Sequence, residues 1–431
     1  MNVCVLGIRH LGTVTAACLA SAGHRVTGLD FDPDVVALLS AGKPPIFEPG
    51  VDDLVRAGLA TSQLAFTTDP RSAGEAEVVW IAYDTPVDDE DRADVEYVVE
   101  RAGRLFPLLK NGALVLTSSQ IPVGTTRRLE QEFAAQSAGR TVLFAYSPEN
   151  LRLGKAISVF THPDRVVAGV RSPVARERVA ILLKPFTDRI EWMSVESAEM
   201  TKHALNAFLA TSVTFINEIA ALCEQVGADA AEVERALKSE SRIGPKAYLS
   251  PGGAFAGGTL ARDVMFLSQL GRTHHVSTSL LSSVKESNDA HRQWAQRRLE
   301  QCLGGVEGKT VAVWGLTYKP GTDTLRRSSA VELCQWLHAH GAAVRAHDPV
   351  VTQLPDDLAA CFEAAGSALA AADGASALVV ATAWPEYRDV TADELAGRMT
   401  RRLVLDANRF LAETLGRNSD IEYVSVGKPT P

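Results

Sequence analysis

The sequence predicts two α/β domains joined by a helix-rich middle segment. Short apolar runs alternate with helical stretches from the N-terminus to about residue 197. In the middle segment the apolar residues recur instead at the spacing of a long helix. After Gly308 the alternation of strand-like and helical patterns begins again. Apolar runs of strand length separated by helical stretches indicate a parallel sheet covered by helices on both faces.

The first domain is expected to contain a series of buried strands, with an alanine-rich helix after the first of them. The helix is predicted over residues 13–22, because this stretch has neither glycine nor proline. The predicted strands, each a run of mainly apolar residues, are 3–7, 25–30, 78–82, 113–118 and 141–147.

The middle segment is predicted to consist of helices and one loop. A single long helix should cover residues 198–226, because no glycine or proline occurs before Gly227. Further helices are predicted over 229–237 and 263–270, with a Gly/Pro-rich loop at 250–258 between them. The predicted strands of the last domain are 309–316, 342–349, 377–384 and 403–407. The expected domain boundaries are therefore 1–197, 198–300 and 301–431.

Composition excludes several classes of protein. The net charge of -9 argues against nucleic-acid binding and against a surface that seeks acidic lipids. Six cysteines occur without a short CxxC spacing, so reduced thiols are expected rather than a disulfide scaffold or a metal site. Neither a signal peptide nor a membrane-spanning stretch is expected from the apolar pattern. These features together favour a cytoplasmic protein.

The first strand runs into a glycine-containing turn that resembles a dinucleotide-binding fingerprint. Gly7 and Gly12 frame the turn, a helix follows, and Asp30 ends the next strand. Glycines allow close approach to a diphosphate, and the helix N-terminus offers free N–H groups. The Asp30 carboxylate would accept hydrogen bonds from ribose hydroxyls and repel a 2′-phosphate, which favours NAD over NADP. The same glycine pattern also occurs in a tight strand–helix turn that binds no ligand, so this alternative stays open.

One position of the fingerprint departs from it. Arg9 occupies the place of the middle glycine. Its side chain can point outward, or it can itself contact a phosphate, and both arrangements fit the sequence.

Several segments together resemble the UDP-glucose/GDP-mannose dehydrogenase family. The resemblance covers nearly the whole chain, in matching order. The segments are PIFEPGVDDLV (45–55), the pair Thr85 and Pro86, SSQIPVGTT (118–126), SPENLRLGKAI (147–157), DRVVAG (164–169), residues 201–229, RIGPKAYLSPGGAF (242–255) and WGLTYKPGTDTLRRSSA (314–330).

The resemblance implies the architecture and the activity. It implies an N-terminal Rossmann-type NAD-binding domain, a central helical region that forms a homodimer, and a C-terminal α/β domain that binds the nucleotide sugar. Members of the family oxidise the C6 hydroxyl of a sugar nucleotide to a carboxylate with two NAD. UDP is the expected nucleotide, because it is the common choice in the family.

The resemblance also implies catalytic residues. Lys202 would stabilise negative charge on the reacting oxygen, and Asn206 would hold the substrate or a water. Their i, i+4 spacing places both on one face of the long helix. Glu149 is the candidate general base, Asp263 matches a catalytic aspartate, and Gln120 lies in the same predicted pocket. Taken alone, Lys202 is also compatible with a surface lysine, and the carboxylates with ordinary loop residues.

The remaining site residues are implied in the same way. Thr85 and Ser119 are expected to contact the cofactor together with Gly7, Arg9, Gly12 and Asp30. Arg242 matches an arginine that contacts the substrate, often from the neighbouring subunit. The other expected substrate-binding residues are Leu151, Tyr248, Leu249, Gly257, Lys319 and Arg326. No metal site is expected.

The chain departs from the family pattern at its most reactive position. The family's nucleophilic cysteine corresponds to Thr259, and none of the six cysteines lies in this segment. In the family, the aldehyde made by the first oxidation is captured by that cysteine as a thiohemiacetal, which is then oxidised. A threonine hydroxyl is a far weaker nucleophile than a thiolate. Further departures in the expected pocket are Gln120, Asn150 and Arg262.

Three interpretations follow from these departures. In the first, the enzyme oxidises the alcohol once and releases a carbonyl compound. In the second, it forms the acid through a hydrated aldehyde without a covalent intermediate. In the third, the chain is a non-catalytic subunit that binds nucleotide sugars. Retention of Glu149, Lys202, Asn206 and Asp263 argues against the third interpretation.

Overall fold

The computed structural model describes residues 1–46, 48–88, 93–137, 139–149, 151–256, 258–351 and 353–429. The chain divides into two compact units, Met1–Leu205 and Asn206–Pro431. Each unit contains one β-sheet of its own. The division into three domains at residues 197 and 300 remains a prediction.

The sheet of the first unit has the strand order of a dinucleotide-binding fold. In the described part of this unit, the order is β3-β2-β1-β4-β5-β6-β7-β8. The strands are β1 (Asn2–Leu6), β2 (Arg25–Leu29), β3 (Leu64–Thr67), β4 (Val78–Ile81), β5 (Leu114–Thr117), β6 (Leu143–Tyr146), β7 (Val166–Val170) and β8 (Ile190–Met193). The order reverses between β1 and β4, and ligands bind beyond the carboxyl ends of the strands at such a switch point.

Helices cover both faces of this sheet, as the apolar strands predict. They are α1 (His10–Ser21), α2 (Pro33–Ser40), α3 (Val51–Ala60), α4 (Val95–Gly103), α5 (Thr125–Gln136), α6 (Ala156–Thr161) and α7 (Pro173–Leu183). Val3 and Val5 belong to one hydrophobic core, whereas Cys4 and Leu6 belong to a second one. Alternate residues of β1 therefore point to opposite, equally buried faces.

Helix α8 (Val195–Val226) runs through the unit boundary and is followed by a set of shorter helices. These are α9 (Ala230–Ser239), α10 (Thr259–Thr273), α11 (Ser279–Arg292) and α12 (Trp294–Leu303). The prediction of one long helix that ends before Gly227 is confirmed, since Gly227 adopts a φ of 81°. That conformation favours glycine and ends the helix.

The sheet of the second unit repeats the order of the first six strands. Among the described residues the order is β11-β10-β9-β12-β13-β14, and all its pairs are parallel. The strands are β9 (Thr310–Trp314), β10 (Ala343–His347), β11 (Glu363–Ala364), β12 (Ala377–Val380), β13 (Leu403–Asp406) and β14 (Glu422–Val424). The helices are α13 (Ser329–Ala339), α14 (Asp356–Ala359), α15 (Ala368–Ala372) and α16 (Ala392–Ala396). The predicted second α/β domain is thus confirmed.

The structure differs from the prediction in several details. Strand β7 pairs with β6 in antiparallel fashion, so the first sheet is mixed rather than parallel throughout. Helix α10 begins at Thr259 and not near Asp263. Ala261, Val264 and Ser268 are buried at helical spacing, and this burial extends the helix toward the glycine pair that precedes it.

One helix in the described part of the chain, α8, is long and apolar enough to cross a membrane by length and composition alone. In its most apolar window, 44% of the residues are buried inside the protein. Its buried residues include Glu199, His203 and Asn217, and each of them hydrogen-bonds to a loop. Such contacts are typical of a core helix.

Candidate active site

The turn between β1 and α1 has the tight geometry that the fingerprint predicts. Gly7 has a φ of 87°, and a side chain there would approach the Tyr83 ring to 2.5 Å. A Cβ atom at Gly12 would lie 1.7 Å from the carbonyl oxygen of Gly7, so only glycine fits. The buried Asp30 carboxylate accepts a hydrogen bond from the backbone N–H of Ile8 at 3.0 Å. Asp30 thereby fixes the turn at the N-terminus of α1.

The side chain of Arg9 points outward, which selects one of the two arrangements that the sequence allows. Arg9 directly precedes α1 and has a φ of −76°, which lies outside the left-handed region that favours glycine. The guanidinium is 52% exposed and lies 3.0 Å from the Asp32 carboxylate. The cation is therefore held beside the turn rather than inside it.

Buried polar atoms near the ends of β4 and β5 fit a bound cofactor. The hydroxyl groups of Ser119 and Tyr83 are buried and have no hydrogen-bond partner among the described residues. An unsatisfied buried hydroxyl costs about 1–3 kcal/mol, so such atoms suggest a missing ligand. Thr85 donates to the backbone carbonyl of Gln120 at 2.7 Å, which joins the two loops. The geometry of the turn, Asp30 and Ser119 is therefore compatible with a bound dinucleotide.

Glu149 and Lys202 meet in the first unit. The Lys202 ammonium is buried, and it donates a hydrogen bond to the backbone carbonyl of Glu149 at 2.5 Å. The Glu149 carboxylate accepts a hydrogen bond from the backbone N–H of Leu151. Burial raises the pKa of Glu149; the Lys202 ammonium opposes this shift, and the Asp84 carboxylate adds to it. A carboxylate with a raised pKa beside a buried cation can serve as a general base.

The first turns of α8 hold the loop that carries Gln120, which the sequence did not indicate. Glu199 is fully buried, and it accepts hydrogen bonds from the backbone N–H groups of Gly124 and Thr126 at 2.6 and 2.9 Å. His203 contacts the carbonyl oxygen of Ile121 at 2.9 Å. Both side chains fix this loop to the helix that carries Lys202.

In the second unit, Asn206 and Asp263 are in direct contact. Both side chains are buried, and the Asn206 amide donates to the Asp263 carboxylate. Thr259 is exposed and is the first residue of α10, directly after the Gly258 cap. The position at which the resemblance predicts the family's nucleophile is therefore at a helix N-terminus. A thiolate is stabilised there, because the helix dipole favours negative charge.

A set of side chains that the sequence analysis missed fixes the loop before Thr259. The Asn288 amide donates to the carbonyl of Phe255 at 2.8 Å, and its oxygen accepts from the N–H of the same residue at 3.0 Å. Asn217, His291 and Asn408 bind the backbone of the two preceding glycines. In the sequence, only the glycines pointed to this arrangement. The structure shows why Gly252 is needed, because a side chain there would approach the Asn408 oxygen to 2.5 Å.

The other expected substrate residues lie in separate loops of the second unit. The Arg242 side chain is 86% exposed and paired with Glu240. Leu249 is buried, whereas the neighbouring Tyr248 is 57% exposed. Lys319 and Arg326 lie in the connection between β9 and α13, at the carboxyl edge of the sheet where α/β folds bind ligands.

Three other positions singled out in the sequence are Leu151, Gly257 and Asn150. Leu151 lies two residues after Glu149 and donates its backbone N–H to the Glu149 carboxylate. Gly257 and Asn150 lie outside the described residues.

The thiols of the chain are not placed for catalysis. All six cysteines are free, and four of them are buried. Burial raises the pKa of both Cys4 and Cys18 to about 12, so neither forms a thiolate near neutral pH. None of the six lies in the segment 250–263.

Comparison with known proteins identifies the family of the chain. The three domain models of the UDP-glucose/GDP-mannose dehydrogenase family match the chain in order. The NAD binding domain matches residues 1–187, the central domain 196–290 and the UDP binding domain 312–413.

Individual relatives cover the chain from end to end. A UDP-glucose 6-dehydrogenase of Pseudomonas aeruginosa is 34% identical and covers 100% of this chain and 98% of its own. The enzyme of the same name from Rhizobium meliloti is 34% identical, with 100% of both chains covered. The structure of a UDP-glucose dehydrogenase from Pyrobaculum islandicum is 29% identical, with a TM-score of 0.87 over 99% of this chain and 98% of its own. The chain therefore belongs to the UDP-glucose/GDP-mannose dehydrogenase family and is an NAD-dependent oxidoreductase of this nucleotide-sugar dehydrogenase type.

Proposed function

We propose that this enzyme oxidises a CH–OH group of a UDP-sugar once and releases the carbonyl product. One observation carries this proposal: a threonine, Thr259, stands at the exposed N-terminus of α10, where the resemblance to the family leads us to expect the nucleophilic cysteine. The residues for the first oxidation are retained, whereas the residue for the second is replaced. The family's UDP binding domain supports UDP as the nucleotide.

The residues of the first unit can perform the first oxidation. Bound NAD supplies the hydride acceptor for the alcohol carbon. Glu149 accepts the proton of the hydroxyl, and its raised pKa suits this task at neutral pH. The Lys202 ammonium stabilises the developing negative charge on the oxygen. A buried ammonium does so effectively, because little water screens it.

The second oxidation of the family needs a nucleophile that Thr259 does not provide. A cysteine thiol has an ordinary pKa of about 8.5, and a helix N-terminus lowers it further. A threonine hydroxyl stays protonated unless a base activates it. Without capture, the aldehyde or ketone is free to leave.

Product analysis tests the proposal. The enzyme is incubated with NAD, a hydroxylamine trap and a UDP-, GDP- or TDP-sugar in turn, and products are identified by mass. We expect the oxime of a nucleotide sugar with a UDP-sugar. A uronate would indicate a second oxidation through the hydrated aldehyde. No product from any sugar nucleotide, despite tight binding, would support a non-catalytic subunit.

Glu149 is expected to set the acidic limb of the pH profile. The base is active when deprotonated, so kcat/KM falls as the pH drops through the pKa of Glu149. Because burial raises this pKa, the limb should lie above 4.5, the ordinary value for glutamate. The profile of kcat/KM against pH measures it. Glu149→Gln should remove the limb and lower kcat about 10²–10⁴-fold; an unchanged limb in this variant would assign it to another group.

Arg9 is expected to strengthen cofactor binding through its charge. Arg9 directly precedes α1, whose N-terminus would bind a diphosphate, and its guanidinium lies beside this turn without entering it. Arg9→Gly restores the fingerprint but removes the cation, and we expect it to weaken NADH binding about three- to fivefold at low salt. Titration of NADH fluorescence measures the Kd. Arg71→Ala, which breaks another exposed ion pair, is the control. Tighter binding by Arg9→Gly would show that the side chain obstructs the cofactor.

A homodimer is also proposed, formed with a second copy of this chain through α8. Phe208, Phe215 and Leu222 are exposed by 68%, 47% and 61%, and they follow one another at intervals of seven residues. This spacing places them on one stripe of the helix. Exposed apolar stripes of this kind mark interaction surfaces. Light scattering should give twice the mass of the chain, and a monomer at micromolar concentration would contradict the proposal.

A cytoplasmic location is proposed from the cysteines. All six are free thiols, which fits a reducing compartment. Recovery of the native protein with the membrane or secreted fraction of its own cells would refute this location.

A further inference from the structure

A buried carboxylate outside the site described above connects two of its loops. Glu48 is only 4% exposed. One carboxylate oxygen accepts a hydrogen bond from the backbone N–H of Ala156 at 2.8 Å. The other accepts from the N–H of Gly154 at 2.8 Å and lies 3.1 Å from Nε2 of His10. Since a carboxylate only accepts, the imidazole donates from Nε2 in this contact.

These partners belong to two functional loops. His10 is the first residue of α1 and lies in the glycine turn of the cofactor site. Gly154 and Ala156 lead into α6, shortly after Glu149 and Leu151. Glu48 is 38 residues from His10 and more than 100 from the other two partners, so its carboxylate joins parts of the fold that no local element connects.

Three donors on one buried carboxylate exceed what a local helix cap requires. A buried charge is costly unless it is fully hydrogen-bonded, and here backbone N–H groups and the imidazole satisfy it. The two N–H groups at the start of α6 would suffice to explain a capping residue. The contact with His10 has no part in capping α6. His10 also lies near enough to Glu149 to lower the pKa of that carboxyl.

We propose that Glu48 and His10 are positioning residues that transmit the occupancy of the cofactor turn to the loop that follows Glu149. A diphosphate at the N-terminus of α1 restrains the backbone of His10 and thereby its side chain. The imidazole then holds the Glu48 carboxylate, which holds the N–H groups of Gly154 and Ala156. The general base is thus ordered when the cofactor is in place. This inference rests on the proposed role of Glu149.

Hydrogen–deuterium exchange of the full-length protein tests this coupling with NADH as the only ligand. In the wild type, saturating NADH should slow exchange in the peptide covering 151–160 about fivefold. His10→Ala leaves the Glu48 cap intact, so protection without NADH should persist while the NADH-induced slowing disappears. Glu48→Gln has a single acceptor oxygen and should exchange about tenfold faster in this peptide with or without NADH.

The control removes a carboxylate cap elsewhere in the same unit. Asp94 accepts from the N–H of Tyr97 at the start of α4, and Asp94→Asn should leave the NADH response unchanged. A His10→Ala variant that binds NADH and retains the full slowing would overturn the proposal and reduce Glu48 to a local cap. If Glu48→Gln does not fold, His10→Ala still decides the question. Because no sugar nucleotide is used, the result is independent of whether the proposed reaction is correct.

Discussion

Thr259→Cys is expected to raise the NADH yield from one to two per sugar nucleotide and to change the product from a carbonyl compound to an acid. The new thiol stands at the N-terminus of α10, where a thiolate is stabilised. The thiolate adds to the aldehyde carbon, and loss of hydride to NAD leaves a thioester. Water then cleaves the thioester to the acid and regenerates the thiol. Product mass and NADH absorbance measure both changes.

The control for this prediction is Thr259→Ser. It keeps a hydroxyl at the same place but removes the β-branch, so it should still yield one NADH. If serine also gave two NADH, steric freedom at this position rather than thiolate chemistry would control the second step. If cysteine gave only one NADH, other departures from the family pattern, such as Gln120 or Arg262, would have to block the second oxidation.

Lys202→Met is expected to lower kcat about 10²–10³-fold, which is the typical cost of losing one preorganised group that stabilises charge in the transition state. Methionine keeps the length and apolar stem of lysine but has no charge. The KM for NAD should change little, because the dinucleotide turn lies elsewhere in the first unit. Steady-state kinetics separate the two parameters.

Thermal unfolding supplies the structural readout for Lys202→Met. Loss of the hydrogen bond to the Glu149 carbonyl should cost about 1 kcal/mol of stability, so Tm should fall by only a few degrees. Lys184→Met removes an exposed lysine paired with Asp188 and should leave kcat unchanged. A folded Lys202→Met enzyme with wild-type kcat would remove Lys202 from the reaction.

Local patterns predicted most of the fold. Strands β1, β4 and β5 are mainly apolar runs because both faces of the sheet are covered. Strands β3, β7 and β8 were missed. The edge strands β3 and β8 are only partly buried and carry a mixed pattern, and Gly169 interrupts the apolar run of β7. The early start of α10 was missed for another reason. Its first turn follows glycines, which read as a loop, and only tertiary burial of Ala261 makes it helical.

The candidate site was predictable where a family motif marked it, but the residues that support it were not. The four residues proposed for the reaction stand in recognisable segments. In the structure, Lys202 contacts Glu149, and Asn206 contacts Asp263. Glu48, Glu199 and Asn288 act across many residues of sequence and bind backbone atoms. A side chain that binds backbone atoms needs no particular residue type as its partner. The sequence therefore gives no sign of such a contact, and only the folded structure shows it.

The orientation of Arg9 illustrates the same limit. Its replacement of a glycine was visible in the sequence, but its consequence depended on φ and on the position of Asp32. The structure shows a negative φ at Arg9 and a side chain that points out of the turn toward Asp32.

The NADH yield of the wild-type enzyme tests the central claim most directly. A known amount of a UDP-sugar that the enzyme accepts is converted to completion with excess NAD and an aldehyde trap, and NADH is counted by absorbance. One NADH per sugar nucleotide, with the trapped carbonyl recovered in equal amount, is the predicted result. Two NADH and a uronate would contradict it and show that this chain completes the second oxidation without a cysteine.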